Sequence, residues 1–419
     1  ITADTVVLAG HVIDVVHGTV LTGQEILVAG GRVLAVRPWS QSAAAAAGTT
    51  NGARVIDLSR HWVMPGLIDC HAHLIGDLDQ GHGYASLVER TSAQEALSGV
   101  RNARDTLRAG VTTVRDVGTF HAFTDVALRE AVEAGWCEGP RMMCAGAYIT
   151  SPGGGGDITG LDPAADARVP ANLRVGVSRD AHDVRAAVRR IIEGGADLIK
   201  VIATGAVLTE GTDPGAPEFT EDEIRAAVEE AAAHGVHVAA HAHGAEGIKR
   251  AVRAGVRSIE HGSLMDDEAI ALMAENGTWL VADIYNGDYI DEVGTRDGWS
   301  AETMRKNAET TQTQRDGFRR AVGAGVRIAY GTDSGVYPHA DSARQLPYLV
   351  RHGLTPMQAL QAATVRAAEC MGWQDRVGSL EPGRFADLVA TPSDPLITDL
   401  TALHGELTVI KGGRVITGR

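Results

Sequence analysis

The chain has 419 residues, a formal net charge of −15 and a pI near 5.5, with 44% hydrophobic and 22% charged residues. This length allows one large barrel with a small appendage, or two to three ordinary domains. The negative charge argues against a nucleic-acid partner, because such proteins concentrate Lys and Arg on one face. Since no apolar run approaches the ~18 residues of a membrane span, no membrane partner is expected.

The cysteines and the first residue leave the cellular compartment open. The four cysteines lack Cys-x-x-Cys spacing and are too few for a disulfide scaffold: Cys70, Cys137, Cys144 and Cys370. The chain begins at Ile1 rather than Met, which fits a removed signal peptide or a shortened chain. Both a cytoplasmic location and secretion after signal removal therefore agree with the sequence.

Both ends of the chain carry short apolar strands separated by glycines. These strands are predicted at residues 6–9, 25–29 and 32–36 near the start, and at 385–389, 407–410 and 414–416 near the end. Neither end is long enough to bury a core alone, so the two ends are predicted to form one discontinuous β-sandwich from residues 1–60 and 376–419. Residues 40–51 have loop composition and are predicted to be a mobile connection.

The middle of the chain, residues 61–375, repeats a helix, a glycine and a short buried strand that ends in a polar residue. Gly110, Gly255 and Gly325 each stand directly before such a strand. Glycine just past a helix supplies the left-handed C-cap that turns the chain into the next strand. Alternating helices and strands over some 300 residues indicate an α/β fold, and we predict a (β/α)8 TIM barrel.

Two histidines follow the first barrel strand at a spacing that suits metal binding. In the segment 63–73, His71 and His73 are two residues apart, so on a strand both side chains share one face. A His-x-His pair alone is also common without a metal. The other strand ends decide between these interpretations.

Lys200 lies inside the apolar segment 198–202, where a charged ammonium would pay a large desolvation cost. A salt bridge is one explanation. The other is that the neutral amine reacts with carbon dioxide to give a carbamate, an anion that bridges two cations. A histidine-only shell supplies no negative charge, so two divalent ions favour the carbamate.

Three later strands also end in residues that bind metals. His241 ends the apolar part of one strand and is predicted to be a ligand, whereas His243 lies one step beyond the rim and is predicted to contact substrate. His261 ends the next strand, and Asp333 ends the last one. Asp333 could bind an ion and accept a proton from a water molecule, or it could cap the following segment.

These residues follow the first, fourth, fifth, sixth and eighth predicted strands, which is the catalytic face of a barrel. The sequence resembles the amidohydrolase superfamily in residues 65–73, 199–201, 241–244, 259–262, 331–333 and 378–388. Lys200 makes it similar to the binuclear prolidase-like branch, which includes Xaa-Pro dipeptidases, carboxypeptidases and ochratoxin amidohydrolases.

That resemblance implies a ligand set, a cofactor and an assembly. It implies His71, His73 and Asp333 on one ion, His241 and His261 on a second, and carboxylated Lys200 between them. It further implies zinc as the metal and a homo-oligomer, up to an octamer. The sequence departs from many relatives after the third strand, where Thr-Gly-Gly-His is replaced by the glycine-rich segment 150–157. The glycines could leave space for a bulky acyl group or form a flexible loop.

The predicted reaction is hydrolysis of an amide or peptide bond to a C-terminal amino acid in a small-molecule or dipeptide-like substrate. Asp333 is the predicted proton carrier, with His243, Tyr148 and Tyr285 as candidate substrate contacts. The alternative is a cyclic amide or imine hydrolase or deaminase of the imidazolonepropionase-like type, which commonly uses one metal and no bridging lysine. A barrel without catalytic activity is a third possibility, and it conflicts with the complete ligand set.

Overall fold

The computed structural model describes residues 2–39, 52–77 and 85–417, so the predicted connection at residues 40–51 lies outside the described part of the chain. Sixteen strands, β1 to β16, occur there in chain order: Thr5–Asp14, Thr19–Ala29, Arg32–Pro38, Arg54–Pro65, Leu67–Ala72, Val111–Asp116, Arg141–Cys144, Tyr148–Ile149, Ile199–Ile202, Val238–Gly244, Ser258–Leu264, Trp279–Val281, Arg327–Ile328, Leu388–Thr391, Thr408–Lys411 and Arg414–Thr417.

The helices lie mainly between the strands of the middle of the chain. The α-helices of the described residues are Ala85–Glu89, Ser92–Arg108, Thr124–Glu133, Pro163–Asp166, Ala181–Glu193, Glu221–Ala233, Ala245–Ala254, Asp267–Asn276, Asn286–Asp297, Ala301–Gly323, Leu346–Arg351, Pro356–Ala362 and Val365–Met371. Short 3₁₀ helices span Ala171–Leu173, His339–Gln345 and Thr401–His404. None of the helices within the described ranges is both long enough and apolar enough to cross a membrane.

Polar residues fix where several of these helices begin. The side chain of Thr220 accepts a hydrogen bond from the backbone N–H of Glu223, and the Glu223 carboxylate accepts one from the backbone of Thr220 in return. Asp180 and Asp266 cap their helices with single bonds of the same kind. These side chains satisfy backbone donors that the first helical turn leaves without partners, so the helix starts are encoded locally.

The described residues divide into two compact units. The sheet unit comprises residues from 1–69, 105–113 and 340–419, and the β/α unit comprises residues from 70–104 and 114–339. In the sheet unit, strands from both chain ends form one seven-stranded sheet in the order β16-β15-β14-β4-β1-β2-β3. The first and last parts of the chain therefore share one sheet, through the antiparallel pairing of β14 with β4.

The core of this sheet is made of alternating aliphatic side chains. Its buried members include Val7, Ile26, Val28, Leu388 and Ile410. At about 25 cal/mol for each Å² of apolar surface, burial of such side chains is the main favourable contribution to the stability of this region. Because the cluster draws on both ends of the chain, neither end buries this core alone.

The strands of the middle of the chain form two further sheets. One has six strands in the order β13-β12-β11-β10-β9-β8, and its printed pairs are all parallel; the other has three strands in the order β5-β6-β7. The last strand of the six-stranded sheet, β13, is shorter than expected. It ends at Ile328, and residues 329–333 follow it without strand structure. Parallel strands bring their carboxyl ends to the same edge, where the predicted metal ligands lie.

Candidate metal centre

The predicted metal ligands all belong to the β/α unit and lie either within its strands or in the residues that follow them. His71 lies in β5 and Lys200 in β9, and their exposed fractions are 1% and 2%. His241 and His261 lie in β10 and β11 and are also buried. Together with Asp333, which follows β13, they line one cavity of about 940 Å³ that includes space open to solvent.

His71, His73 and Asp333 form a first cluster of possible ligand atoms. The Nε2 atoms of His71 and His73 lie 3.2 and 3.3 Å from the same carboxylate oxygen, Oδ1 of Asp333. All three offered ligand atoms lie within 4.8 Å of one another. This is the geometry of three electron-pair donors around one position.

A second cluster contains His241, His243 and His261. Their rings are 4.6 Å apart between centroids in each of the three pairs. The ring of His261 is also 4.8 Å from that of His71, so the two clusters are neighbours. From the sequence, His241 was predicted to be a metal ligand and His243 a substrate contact. In the structure both belong to the second cluster.

Each of the four predicted histidine ligands has an acceptor on its other ring nitrogen. The pairs are His71 Nδ1 with Glu260 Oε2 at 2.8 Å, His73 Nδ1 with the Gly118 carbonyl at 2.8 Å, His241 Nε2 with the Gly205 carbonyl at 3.0 Å, and His261 Nδ1 with Asp283 Oδ1 at 3.0 Å. Carbonyls and carboxylates only accept, so these nitrogens donate and the opposite nitrogen is the one that can bind a metal. Such acceptors orient and strengthen metal-binding histidines.

Glu260 belongs to a buried network that the sequence analysis did not find. Arg115 donates to Glu260 Oε1 at 2.6 Å, to Ser258 Oγ at 3.0 Å and to the Cys70 carbonyl at 2.6 Å. Arg115 and Glu260 have no exposed side-chain surface, and Glu260 contacts His71 with its other oxygen. Glu260 directly precedes His261, and Arg115 is near the end of β6, so both charges are visible in the sequence. Nothing in the neighbouring sequence indicates that these two residues pair with each other.

Burial lowers the pKa of the Lys200 amine and of the imidazole rings of His241 and His243. It lowers the pKa of Lys200 to about 8, although Glu260 and Asp333 act to raise it. Burial also lowers the pKa of His243 to about 3, and it holds the pKa of His241 well below its usual value, with a further contribution from His261. Neutral amine and imidazole groups are the forms that react with carbon dioxide and bind metals.

The carboxylates of the centre are held in the ionised form. Burial alone would raise the pKa of Asp333, but the charge and hydrogen bond of His71 hold it well below its usual value. In the same way, His261 outweighs burial and lowers the pKa of Asp283 to about 2. Asn286 donates to both acids, at 3.0 Å to Asp333 Oδ2 and at 2.9 Å to Asp283 Oδ2.

Two of the predicted ligands have left-handed backbone conformations, which residues other than glycine rarely adopt. The φ angles of His261 and Asp333 are 71° and 56°. Such strain costs on the order of 1 kcal/mol or more and concentrates at functional sites. Gly331, two residues before Asp333, has no room for a Cβ atom, which would lie 2.3 Å from Val281 and 2.8 Å from the His71 side chain.

The candidate substrate contacts differ in position. Tyr148 lines the cavity, and its hydroxyl donates to the Gly118 carbonyl at 2.9 Å and lies 3.2 Å from His73 Nδ1. His243 lines it as well, and its Nδ1 is 2.7 Å from Ser263 Oγ. Tyr285 is not among the described residues that line the cavity, and its ring packs edge-on against Tyr337 with centroids 5.0 Å apart.

The glycine-rich segment after β8 is held in place by hydrogen bonds. The backbone N–H of Gly155 donates to both oxygens of Glu218, at 2.8 and 3.0 Å. A Cβ atom at Gly155 would lie 2.9 Å from the Thr204 carbonyl, and one at Gly156 would lie 2.7 Å from Ile202. These two glycines therefore permit close packing against β9 rather than adding free space.

The donor set fits two divalent cations. Each cluster offers several imidazole nitrogens as ligand atoms, and the carboxylates of Asp333 and Asp283 lie beside them. The Nε2 atoms of His71 and His73 converge on the same oxygen of Asp333, and a cation that replaces the proton shared there would have three ligand atoms around it. The described residues therefore form a candidate metal centre at one edge of the parallel strands.

Comparison with known proteins finds one family and several relatives that match most of the chain. The model of the amidohydrolase family matches residues 62–416. Ochratoxinase of Aspergillus niger is 34% identical over 375 residues, which cover 85% of this chain and 76% of the relative. Imidazolonepropionase of Geobacillus kaustophilus is 27% identical over 432 residues, covering 95% and 91%.

Solved structures extend the likeness to the whole chain. A Xaa-Pro dipeptidase with methionine bound in its active site is 36% identical, with a TM-score of 0.89 over 99% of this chain and 100% of that one. The A. niger ochratoxinase structure is 29% identical, with a TM-score of 0.85 over 99% and 96%. These relatives imply a TIM barrel with a sheet domain, and they confirm the prediction of a hydrolase of amide or peptide C–N bonds. The chain belongs to the amidohydrolase family.

Proposed function

We propose that this amidohydrolase cleaves the amide or peptide bond between an acyl group and a C-terminal amino acid, with two divalent cations as cofactors. The observation that carries the proposal is the pair of ligand clusters at one strand edge, with an acceptor behind each predicted histidine ligand. Relatives support the substrate class, because one is a Xaa-Pro dipeptidase and one is a prolidase complexed with N-methylphosphonate-L-proline.

The ligands divide between the two ions according to the clusters. His71, His73 and Asp333 would hold one ion, and His241 and His261 would hold the other, with zinc as the proposed metal. Lys200 would bridge them after modification: its neutral amine nitrogen forms a bond to the carbon of carbon dioxide, and the amine proton leaves to solvent. The resulting carbamate anion supplies charge that the histidines lack, and burial of Lys200 favours the neutral amine it requires.

The bound cations would supply an acidified water molecule and polarise the scissile carbonyl. Asp333 receives the proton from the attacking water and delivers it to the leaving amine, for which its position among the ligands and its ionised state are suited. His243 and Tyr148 line the cavity, and His243 can donate a hydrogen bond to the substrate carbonyl or carboxylate. Tyr148 would do so in exchange for its hydrogen bond to the Gly118 carbonyl. Tyr285 remains a weaker candidate because its ring packs on Tyr337.

We also propose that the parallel strands close into a complete (β/α)8 barrel. Backbone bonds of the β/α unit support closure, since Cys70 N donates to the Tyr330 carbonyl at 2.8 Å and His73 N to the Ser334 carbonyl at 2.9 Å. These bonds join the segment after β13 to β5. The sandwich arrangement of the sheet unit and the domain boundaries at residues 60 and 375 remain predictions.

The assembly is proposed from the resemblance alone. A homo-oligomer, up to an octamer, is expected, and light scattering of the purified protein measures it directly. A monomer at micromolar concentration would contradict this part of the proposal without affecting the reaction.

The alternative, hydrolysis or deamination of a cyclic amide or imine, draws on the imidazolonepropionase relatives. Buried Lys200 beside both clusters favours the two-metal amidase instead. Elemental analysis separates the two: about two ions per chain supports the amidase, whereas one ion supports the alternative.

The function is tested by a screen of the metal-loaded enzyme against N-acyl amino acids and dipeptides, with the released amino acid as the readout. The same protein treated with a chelator and then reloaded with zinc is the control. Release that is lost on chelation and restored by zinc supports the proposal. Activity on cyclic imides but on none of the open-chain amides would contradict it.

A further inference from the structure

A second fully buried lysine lies outside the metal centre, on the helix Ala301–Gly323. The exposed fraction of Lys306 is 1%. Its ammonium pairs with Glu302 at 2.5 Å and donates to the carbonyls of Thr209 at 2.8 Å and Ala206 at 3.3 Å. Burying an ammonium is costly unless hydrogen bonds and an opposite charge compensate, so its three partners define what this lysine holds in place.

The partners of Lys306 belong to a segment that lines the substrate cavity. Residues 206–209 follow β9 and all line the cavity. Glu302 holds the same segment from the other side, since its Oε1 accepts from the backbone N–H of Gly211 at 2.8 Å. The ion pair thus fixes both carbonyls and one amide of a loop that has no strand or helix of its own.

The glycine-rich segment is tied to the same point. The hydroxyl of Thr209, which is itself buried, donates to the Gly155 carbonyl at 2.6 Å. Gly155 and Gly156 also line the cavity. We call residues 155–156 and 206–209 together the cavity wall; one hydrogen bond from Thr209 joins its two parts.

The larger side chains of this wall, Val207 and Leu208, are aliphatic. Val207 and Leu208 pack against the buried cluster of Ile290, Val293, Trp299 and Val336. A substrate group that lies against the wall therefore meets aliphatic carbon, and one methylene more or less in such a pocket changes discrimination about 10- to 200-fold.

We propose that Lys306 is a positioning residue for substrate specificity, which holds the cavity wall so that Val207 and Leu208 receive an apolar group of the substrate. Lys306 acts through the loop and not on the reacting atoms. The kinetic part of this inference rests on the proposed function, whereas the structural part does not.

The kinetic test compares N-acetyl and N-benzoyl derivatives of one amino acid, and N-acetyl derivatives of Gly and Phe. The variants are Lys306→Met and Lys306→Met with Glu302→Gln, which avoids leaving a carboxylate without its partner. At least one selectivity ratio in kcat/KM is expected to change about tenfold, mainly through KM. Lys249→Met is the control, because Lys249 pairs with Asp266 and Glu268 and does not line the cavity.

Leu208→Ala provides a second route that leaves the buried ion pair intact. It is expected to shift the same ratio in the same direction as Lys306→Met, with zinc content unchanged. Unchanged ratios in Leu208→Ala and in the lysine variants would overturn the proposal. If the lysine variants do not fold, an unchanged ratio in Leu208→Ala still overturns the proposal.

Hydrogen exchange tests the wall without any substrate. In Lys306→Met, backbone amides of residues 205–212 and 153–156 are expected to exchange at least about tenfold faster, because both loops depend on this lysine. Lys249→Met is expected to leave them unchanged. Faster exchange in these two loops, together with no activity on any amide, would refute the proposed function but support the role of Lys306 in holding the cavity wall. Uniformly faster exchange over the whole chain would show that Lys306 only stabilises the fold.

Discussion

The seven-stranded sheet and the strands around the candidate metal centre differ in the side chains that they bury. The seven-stranded sheet encloses aliphatic side chains such as Ile26 and Val28. The strand ends of the β/α unit instead bury Lys200, Arg115 and Glu260. Apolar burial is favourable by itself, whereas a buried charge is costly unless partners compensate.

The comparison separates stability from function. A region that only has to fold has no reason to retain buried charges, since well-packed apolar residues are as stable or more so. The β/α unit retains them beside two histidine clusters and pairs Arg115 with Glu260. Variants in the two regions should therefore differ in which property they change.

The largest effect is expected for Asp333→Asn. Asn tolerates the left-handed conformation found here, so the backbone is retained while the proton acceptor is lost. Turnover is expected to fall about 10⁴-fold with zinc largely bound, as measured by kcat and elemental analysis. Asp297→Asn, at an exposed helix end, is the control. A variant with half of the wild-type rate would refute the role of Asp333 in proton transfer.

Lys200→Met is expected to lower kcat about 10³-fold and to reduce the metal content from about two ions to about one per chain. The change keeps the length and apolar stem of the side chain but removes the amine that would carry the carbamate. Lys249→Met again serves as the control. Full occupancy by two ions in the variant would show that no bridging carbamate is needed.

Glu260→Gln and Ile26→Ala compare a buried charge of the β/α unit with a buried aliphatic residue of the sheet unit. The first leaves Arg115 without its buried carboxylate and is expected to cost about 3 kcal/mol in the free energy of unfolding, and it also weakens zinc binding through His71. The second creates a cavity and costs a similar amount, about 2–5 kcal/mol. Only Glu260→Gln should change the zinc affinity of the folded protein. Equal zinc affinities in both variants would contradict the functional role of the network.

The smallest effect concerns Glu218, whose carboxylate accepts from Gly155. Burial raises the pKa of Glu218 to about 7, so the folded protein binds this proton more tightly than the unfolded chain. Stability is then lost as pH rises from the unfolded pKa, near 4.5, towards about 7, and the loss is complete above that. Glu218→Gln should therefore be more stable than wild type by about 1–2 kcal/mol at pH 8.5 and equal to it at pH 4.

Denaturant unfolding at the two pH values measures this difference. Because Gln retains an acceptor oxygen for the Gly155 amide, the variant changes the charge and little else. Glu302→Gln, at a carboxylate whose pKa is lowered by Lys306 and the Gly211 amide, should lose stability at high pH instead. The same sign for both variants would mean that burial does not raise the pKa of Glu218.

The sequence by itself was enough to predict the alternation of strands and helices and the amidohydrolase resemblance, whereas the structure places Lys200, His241 and His261 inside their strands rather than at the ends. These features are local: a glycine after a helix, a capping threonine such as Thr220, and histidines two apart in a strand depend on neighbours within a few residues. The family match at residues 62–416 confirms the resemblance.

Only the tertiary structure decided which residues stand behind the ligands. Glu260 meets His71 across 189 positions of the chain, and Lys306 meets Thr209 across 97. No periodicity links residues so far apart, because their contact depends on how the strands and helices pack. The same reason explains why the close packing of Gly155 and Gly156 against Thr204 and Ile202 was not predicted from the sequence.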